Sequence, residues 1–366
     1  MAYASFIGHG YTSCLTCHYN PAGGGQLNDY GRALGATKVA NRLFRSDAKS
    51  EEQIAEESGF LYRKPDFSWI RPALKYRGLA LKTAHGTDNS ETEYIHMLAR
   101  ASLVLKFGQR DQFLIAGNLD YAPAPRGGAV EEEPNYRSRE HYIGLRPFQS
   151  VGVYVGLLDK PFGIRVPDHI AFSRTLNSLS QNDQSHGVML QGSWLGIEAF
   201  IHYFVGNLAQ EEEIRQKGFS FLAEYEWSNL SRPGFSIIRS SSLVSELSSN
   251  AIHWRLGAGG GSSLLIEFGE RERALLVGNQ EILKSRYGFL QGALQIARGF
   301  SILNTVEYLK INLEEEGYTL RLGPGIQYFP SQGFEIRFDF YNTRNFSKQA
   351  VSDDNWDLTG QIHLYF

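Results

Sequence analysis

Two thiols and an imidazole stand within five residues of one another, in Cys14-Leu15-Thr16-Cys17-His18. The spacing suits covalent attachment of a haem: the thiols of a C-x-x-C-H segment add to the two porphyrin vinyl groups, and the adjacent histidine lies beneath the iron as its proximal ligand. We therefore expect one covalent haem c, with Cys14 and Cys17 as the attachment points and His18 on the metal. A redox disulfide, half of a zinc site and chance are the competing readings. Zinc would need two further ligands at matching spacing, and the chain has no third cysteine. With 2 cysteines, both among the first twenty residues, the rest of the chain carries no disulfide framework.

The sixth iron position has several candidates, because the chain holds 3 Met and 10 His. His9 precedes Cys14 in the same glycine-flanked segment and is the first choice to fold back over the open face; an ordinary surface histidine is the alternative. His169, in the connection 159–182, is the second. Arg32, together with the backbone N–H groups of Gly23 to Gly25, offers donors to the haem propionates, since guanidinium pairs carboxylates bidentately. Its alternative is a plain charge on a helix face.

These residues sit in an N-terminal segment, 1–65, unlike the rest of the chain. Its glycine run leads into a predicted helix over 27–44, and Ser50 with Gln53 forms a capping box for a second helix that Gly59 stops. From Phe67 onward the hydrophobic period is two. Trp356, Leu358, Ile362 and Leu364 alternate with Asp357, Thr359, Gln361 and His363, and Phe334, Ile336, Phe338 and Phe340 with Glu335, Arg337, Asp339 and Tyr341. About sixteen such strands are expected, centred near residues 75, 100, 116, 143, 155, 189, 200, 223, 240, 254, 266, 290, 304, 322, 337 and 361. Short turns at 108–109, 147–150, 194–196, 231–234, 259–261, 297–299 and 331–333 alternate with longer, more polar connections.

That pattern predicts an all-β fold over 66–366, a transmembrane antiparallel β-barrel of about 16 strands. A soluble propeller or sandwich also uses many short strands, but would bury Arg321, Arg337 and Asp339 at strand centres. In a membrane barrel these charges face lumen water. Trp69, Trp194, Trp227, Tyr308, Tyr328 and Phe329 suit interfacial girdles, although strand propensity alone also favours aromatics.

Composition agrees. Aromatics reach 13% and charged residues only 20% of 366 residues, and no run approaches the ~18 apolar residues of a spanning helix. The net charge of -3, with no basic stripe, excludes nucleic acid as a partner. Ala2-Tyr3-Ala4 has the small-x-small form of a cleavage site, so Met1 reads as an added start and an export leader is expected upstream. The triplets Glu131–Glu133, Glu211–Glu213 and Glu314–Glu316 fall in long connections, where divalent cations at a lipopolysaccharide surface compete with simple solvation.

Residues 8–35, with Tyr11-Thr12-Ser13-Cys14, His18, Asn20-Pro21, Gly23-Gly24-Gly25 and Tyr30-Gly31-Arg32, resemble the haem-bearing N-termini of bacterial outer-membrane porin-like proteins. The terminal Phe366 resembles the barrel-assembly signal. The resemblance implies a bacterial outer-membrane location among lipid and lipopolysaccharide. It places the haem segment on the periplasmic side or in the lumen, and implies electron transfer with periplasmic or extracellular cytochromes. It also implies that the third long loop folds into the lumen as a constriction lined by Arg165, Asp168, His169 and Arg174. A single haem motif on the barrel chain itself departs from porin–cytochrome conduits. The competing function is a diffusion channel or substrate-specific transporter whose haem segment is a plug or sensor, and catalysis at an open haem position ranks third.

Overall fold

The computed structural model describes residues 4–43, 49–85, 91–122, 135–168, 170–277, 281–347 and 354–366. The first barrel strands are β1 (Ile70–His85), β2 (Glu91–Phe107), β3 (Phe113–Tyr121), β4 (His141–Phe148), β5 (Val151–Leu158), β6 (Ser185–Trp194), β7 (Ile197–Gly206) and β8 (Lys217–Tyr225). They continue as β9 (Ser231–Ser241), β10 (Ser245–Gly259), β11 (Ser262–Leu275), β12 (Ile282–Ala297), β13 (Phe300–Lys310), β14 (Gly317–Ser331), β15 (Phe334–Ser347) and β16 (Asp354–Tyr365). A two-residue piece, Tyr136–Arg137, pairs with β3 and leads into β4, so the two form one stave.

Each strand pairs antiparallel with its sequence neighbours, and β1 closes the sheet on β16 with Gly78 opposite Ile362. All sixteen predicted centres fall within strands. Closure leaves no sheet edge, as a lipid environment demands. The two faces differ sharply: Ile201 is 44% exposed, while its neighbours Phe200 and His202 are 3% and 0% exposed. Outward Ile143, Val155, Ile252, Phe268, Phe338 and Leu358 are exposed, an apolar surface too extensive for a chain surrounded by water. Trp194 and Trp227 are exposed near strand ends as the girdle reading expects, but Phe329 faces inward and packs on Val39 and Ala40.

Four local expectations change. Residues 231–234 start β9 rather than forming a turn, which lies instead at 226–230. Pro233 is tolerated because the β8 ladder begins only at Gly234, so no donor is missed there. The helix over 27–44 shortens to α1 (Asp29–Leu34), which Asn28 caps by accepting from Gly31 N at 2.8 Å, and which runs on into a wide turn over Gly35–Val39. The capping box of α2 (Glu51–Glu56) forms with both bonds, but the helix ends at Glu56 with Glu57 as its C-cap, ahead of Gly59.

The fourth concerns the lumen. Inward charges are buried in paired networks rather than bathed in water: Arg232 takes Glu198 and Glu224, Arg255 takes Glu224 at 2.6 Å, and Glu335 meets His363 at 3.1 Å. They are covered from two directions. Residues 4–43 and 49–69 close the mouth at the short turns, with Gly261 N donating to Gly8 O at 3.0 Å, Arg298 Nε to Ala40 O at 2.8 Å and Tyr62 OH to Gln332 O at 2.8 Å. The connection 159–184 folds inward from the other end, where Gly163 N donates to Ser236 and Ile164 N to Glu267.

Candidate functional site

A short turn of helix, Cys14–Thr16, positions the motif, and Cys17 N and His18 N both donate to Cys14 O, at 3.2 and 3.0 Å. Beyond it His18 bridges Leu27 and Tyr19 N donates to Gln26 O, making a small hairpin whose tip is Asn20–Gly25. Gly23, Gly24 and Gly25 hold φ of 80°, 72° and 54°, a left-handed path that side chains disfavour. The wall fixes this segment: Ser13 Oγ donates to Glu198 at 2.8 Å, Thr12 Oγ1 to Glu226 at 2.9 Å, and Arg255 to Thr12 O at 2.8 Å. Asn20 donates to Glu140 at 2.6 Å.

Cys14, Cys17 and His18 line one cavity whose other walls are Phe6, Phe200 and Leu222 with Glu224, Arg255 and Arg165. His18 is 1% exposed, and neither ring nitrogen has a hydrogen-bond partner. The Gly24 backbone affects the ring electrostatically but makes no bond of proper geometry. Burial holds the imidazole well below its usual range, so it is neutral and has a lone pair to give. Burial likewise raises the Cys14 thiol and pushes Cys17 up to about 11, so both are thiols rather than thiolates. No three metal-ligating side chains cluster among the described residues. Two thiols beside an imidazole with no hydrogen-bond partner are the groups that a haem c would use, the thiols for attachment and the imidazole as ligand.

The other predicted residues are dispersed. His9 lines a separate cavity with Lys38, Glu51 and Arg298, its ring set edge-on behind Phe6 at 6.0 Å, so it is not brought to His18. Arg32 turns away too, donating to Pro72 O at 3.0 Å and lining a third space with Ser58 and Tyr62. His169 lies outside the described residues. Arg165 does reach the motif cavity, and it pairs with Asp159 of the neighbouring chamber. Arg174 shares that chamber with Arg165, whereas Asp168 lies 4.0 Å from Arg321 on β14. Among the inward-folded residues, then, Arg165 and Arg174 stand together and Asp168 apart.

Sequence reasoning missed the wall of the site. Tyr142, Tyr154, Met189, Phe200 and Leu222 point inward and pack with Tyr19 and Ala22 of the hairpin. The signal was present in part: on strands β4 to β8 the inward alternation includes Tyr142, Tyr154, Met189, Phe200 and Leu222 among polar residues such as Gln191, Glu198, His202 and Glu224, and a water-filled lumen does not call for the apolar ones.

No protein-family model and no curated protein matches the chain. Solved structures do match. The outer-membrane expressed OmpT of Vibrio cholerae aligns at 10% identity and TM-score 0.60, over 81% of this chain and 97% of its own. The fold is that of the outer-membrane porins. The outer membrane channel DcaP of Acinetobacter baumannii is similar at 10% identity, TM-score 0.60, 81% and 97%, and Salmonella typhi OmpF at 12%, 0.60, 81% and 97%. Nearly the whole of each porin is matched while about a fifth of this chain is not, a share close to that of the residues ahead of β1.

Proposed function

We propose that this chain is a porin-like channel of the bacterial outer membrane whose N-terminal segment is a plug carrying one covalent haem c. The observation that carries the reading is the shared cavity: the motif lies on the segment that closes the mouth, and the opposite walls belong to the barrel and its inward loop. By the general rule for such barrels the short turns face the periplasm, which puts the plug on that side. The neighbour named as an outer membrane channel supports passage of solute as the underlying activity.

A second role rests on His18. A neutral, buried imidazole with no partner, next to two protonated thiols, is suited to a metal held for electron exchange, and the haem would supply a one-electron couple at the mouth. In that role Cys14 and Cys17 tether, His18 ligates, and Phe6, Phe200 and Leu222 exclude water. Soluble cytochromes are the expected exchange partners.

The test is maturation with the c-type haem machinery. The purified chain should gain the mass of one haem and show a c-type optical spectrum, and Cys14→Ala with Cys17→Ala should abolish both. A wild-type chain matured in this way but lacking covalent haem would remove the redox role.

A further inference from the structure

Above the plug the barrel holds a second chamber, lined by Lys75, Arg77, Arg100, Arg139, Arg165 and Arg174 with Asp159 as its acidic residue. We propose that it binds a multiply charged oxyanion, of the sulfate or phosphate type, that enters the lumen from the long-loop side. The inference rests on the barrel and its loop, not on the haem.

Lys75 on β1 lies directly opposite Arg100 on β2, and Arg77 stands two residues along on the same inward face. Like charges opposed across a ladder are unfavourable, and enclosure removes the water that would screen them. The carboxylates at and beside the site, Asp159, Asp120 and Glu140, are already engaged, Glu140 by Asn20 at 2.6 Å. Asp120 is taken bidentately by Arg100, at 2.6 Å twice, and by Arg139 at 3.2 Å, while Asp159 is taken by Arg165. Lys75 and Arg174 make no side-chain hydrogen bond or ion pair among the described residues. They approach from different elements, one from the wall and one from the loop.

These cations set the ligand chemistry. Two unpaired basic side chains, one on the wall and one on the loop, suit a ligand that carries negative charge, and a guanidinium presents paired N–H donors to an oxyanion. The plug contributes the floor. Gly24 and Gly25 line the chamber without side chains, and a Cβ on Gly24 would strike the Arg165 guanidinium. Arg139 and Gln184 stand toward the long-loop end, so an anion entering there meets the cations before it meets the plug.

Calorimetric titration of the full-length, detergent-solubilised protein with sodium sulfate, sodium phosphate and sodium chloride at constant ionic strength tests this. Sulfate and phosphate should bind saturably, one per chain, and chloride at least ten-fold more weakly. Lys75→Gln and Arg174→Gln should each lower sulfate affinity ten-fold or more, whereas Lys64→Gln, on the exposed plug surface, should not change it. Because Lys75→Gln relieves a like-charge contact, the barrel should keep its strand signal in circular dichroism, and Arg174→Gln lies on a loop outside the ladder. Absence of saturable binding overturns the proposal, as does affinity indifferent to both substitutions. So does binding confined to the Cys14→Ala, Cys17→Ala protein, since the haem propionates would then own the chamber.

Discussion

Gly31 shows how narrowly the motif is held. A Cβ there would come within 2.9 Å of Cys17 Cα and closer still to its carbonyl oxygen, which is fixed by accepting from Asn28 N at 2.9 Å. Backbone held in this way does not move aside. Gly31→Ala should therefore destabilise the plug by about 1–3 kcal/mol, as overpacking does, and reduce the yield of covalent haem. Gly35, one turn on, has nothing within 4 Å and an ordinary helical φ of -55°. Gly35→Ala should be neutral or stabilising by up to about 1 kcal/mol. Thermal unfolding of the two variants side by side checks the contrast, and equal losses would mean that contact with Cys17 is not the cause. The residues of the motif were readable because their chemistry depends on local spacing. The positions of His9 and Arg32 were not, because each is set by contacts far away in sequence, with Arg298 and Pro72 respectively lining or meeting them.

At the scale of elements, α1 is latched to the barrel through one carboxylate. Asp29 accepts from Arg71 of β1 at 2.5 and 2.8 Å and from Lys106 of β2 at 3.0 Å. Burial favours the neutral acid, but the hydrogen bonds from Arg71 and Lys106 outweigh it and hold the carboxyl below its ordinary value. With the folded value depressed, the stabilisation is present above the unfolded pKa of ~3.9 and is lost as pH falls through the folded one. The latch should hold at neutral pH and fail in strong acid. Asp29 is 45% exposed, so its worth is discounted for screening to about 1 kcal/mol. Asp29→Asn should speed proteolytic release of the plug about five-fold at pH 7, with the difference from wild type vanishing as pH falls through the depressed folded-state value; an unchanged rate at pH 7 would discard the latch. The strands themselves were legible because alternation is a local signal, although 235–247 and 299–310 alternate poorly and the start of β9 was hidden by Pro233-Gly234. What fills the space between them was less so, since the inward loop is held by Ser236, Glu267 and Glu307, residues that are adjacent to it only after closure.

For the whole molecule the question is whether the barrel stands without its plug. Every ladder, including the closing β1–β16 pair, is made between strands, and none uses a residue ahead of Ile70. A barrel of ~16 strands leaves an aqueous lumen unless something occupies it, and here two things do. Deleting residues 1–65 removes only one of them, for Ile164, Val166 and Ala171 remain packed on Leu265 and Phe289 inside the wall. The truncated chain should keep its strand content and conduct ions in planar bilayers where the full chain is closed or nearly so, yet conduct less than a barrel lacking residues 165–174 as well. Its newly wetted patch of Tyr142, Tyr154 and Met189 should lower thermal stability without opening the sheet. Equal conductance with and without residues 1–65 would show that this segment does not obstruct the lumen, and the plug reading would fall with it.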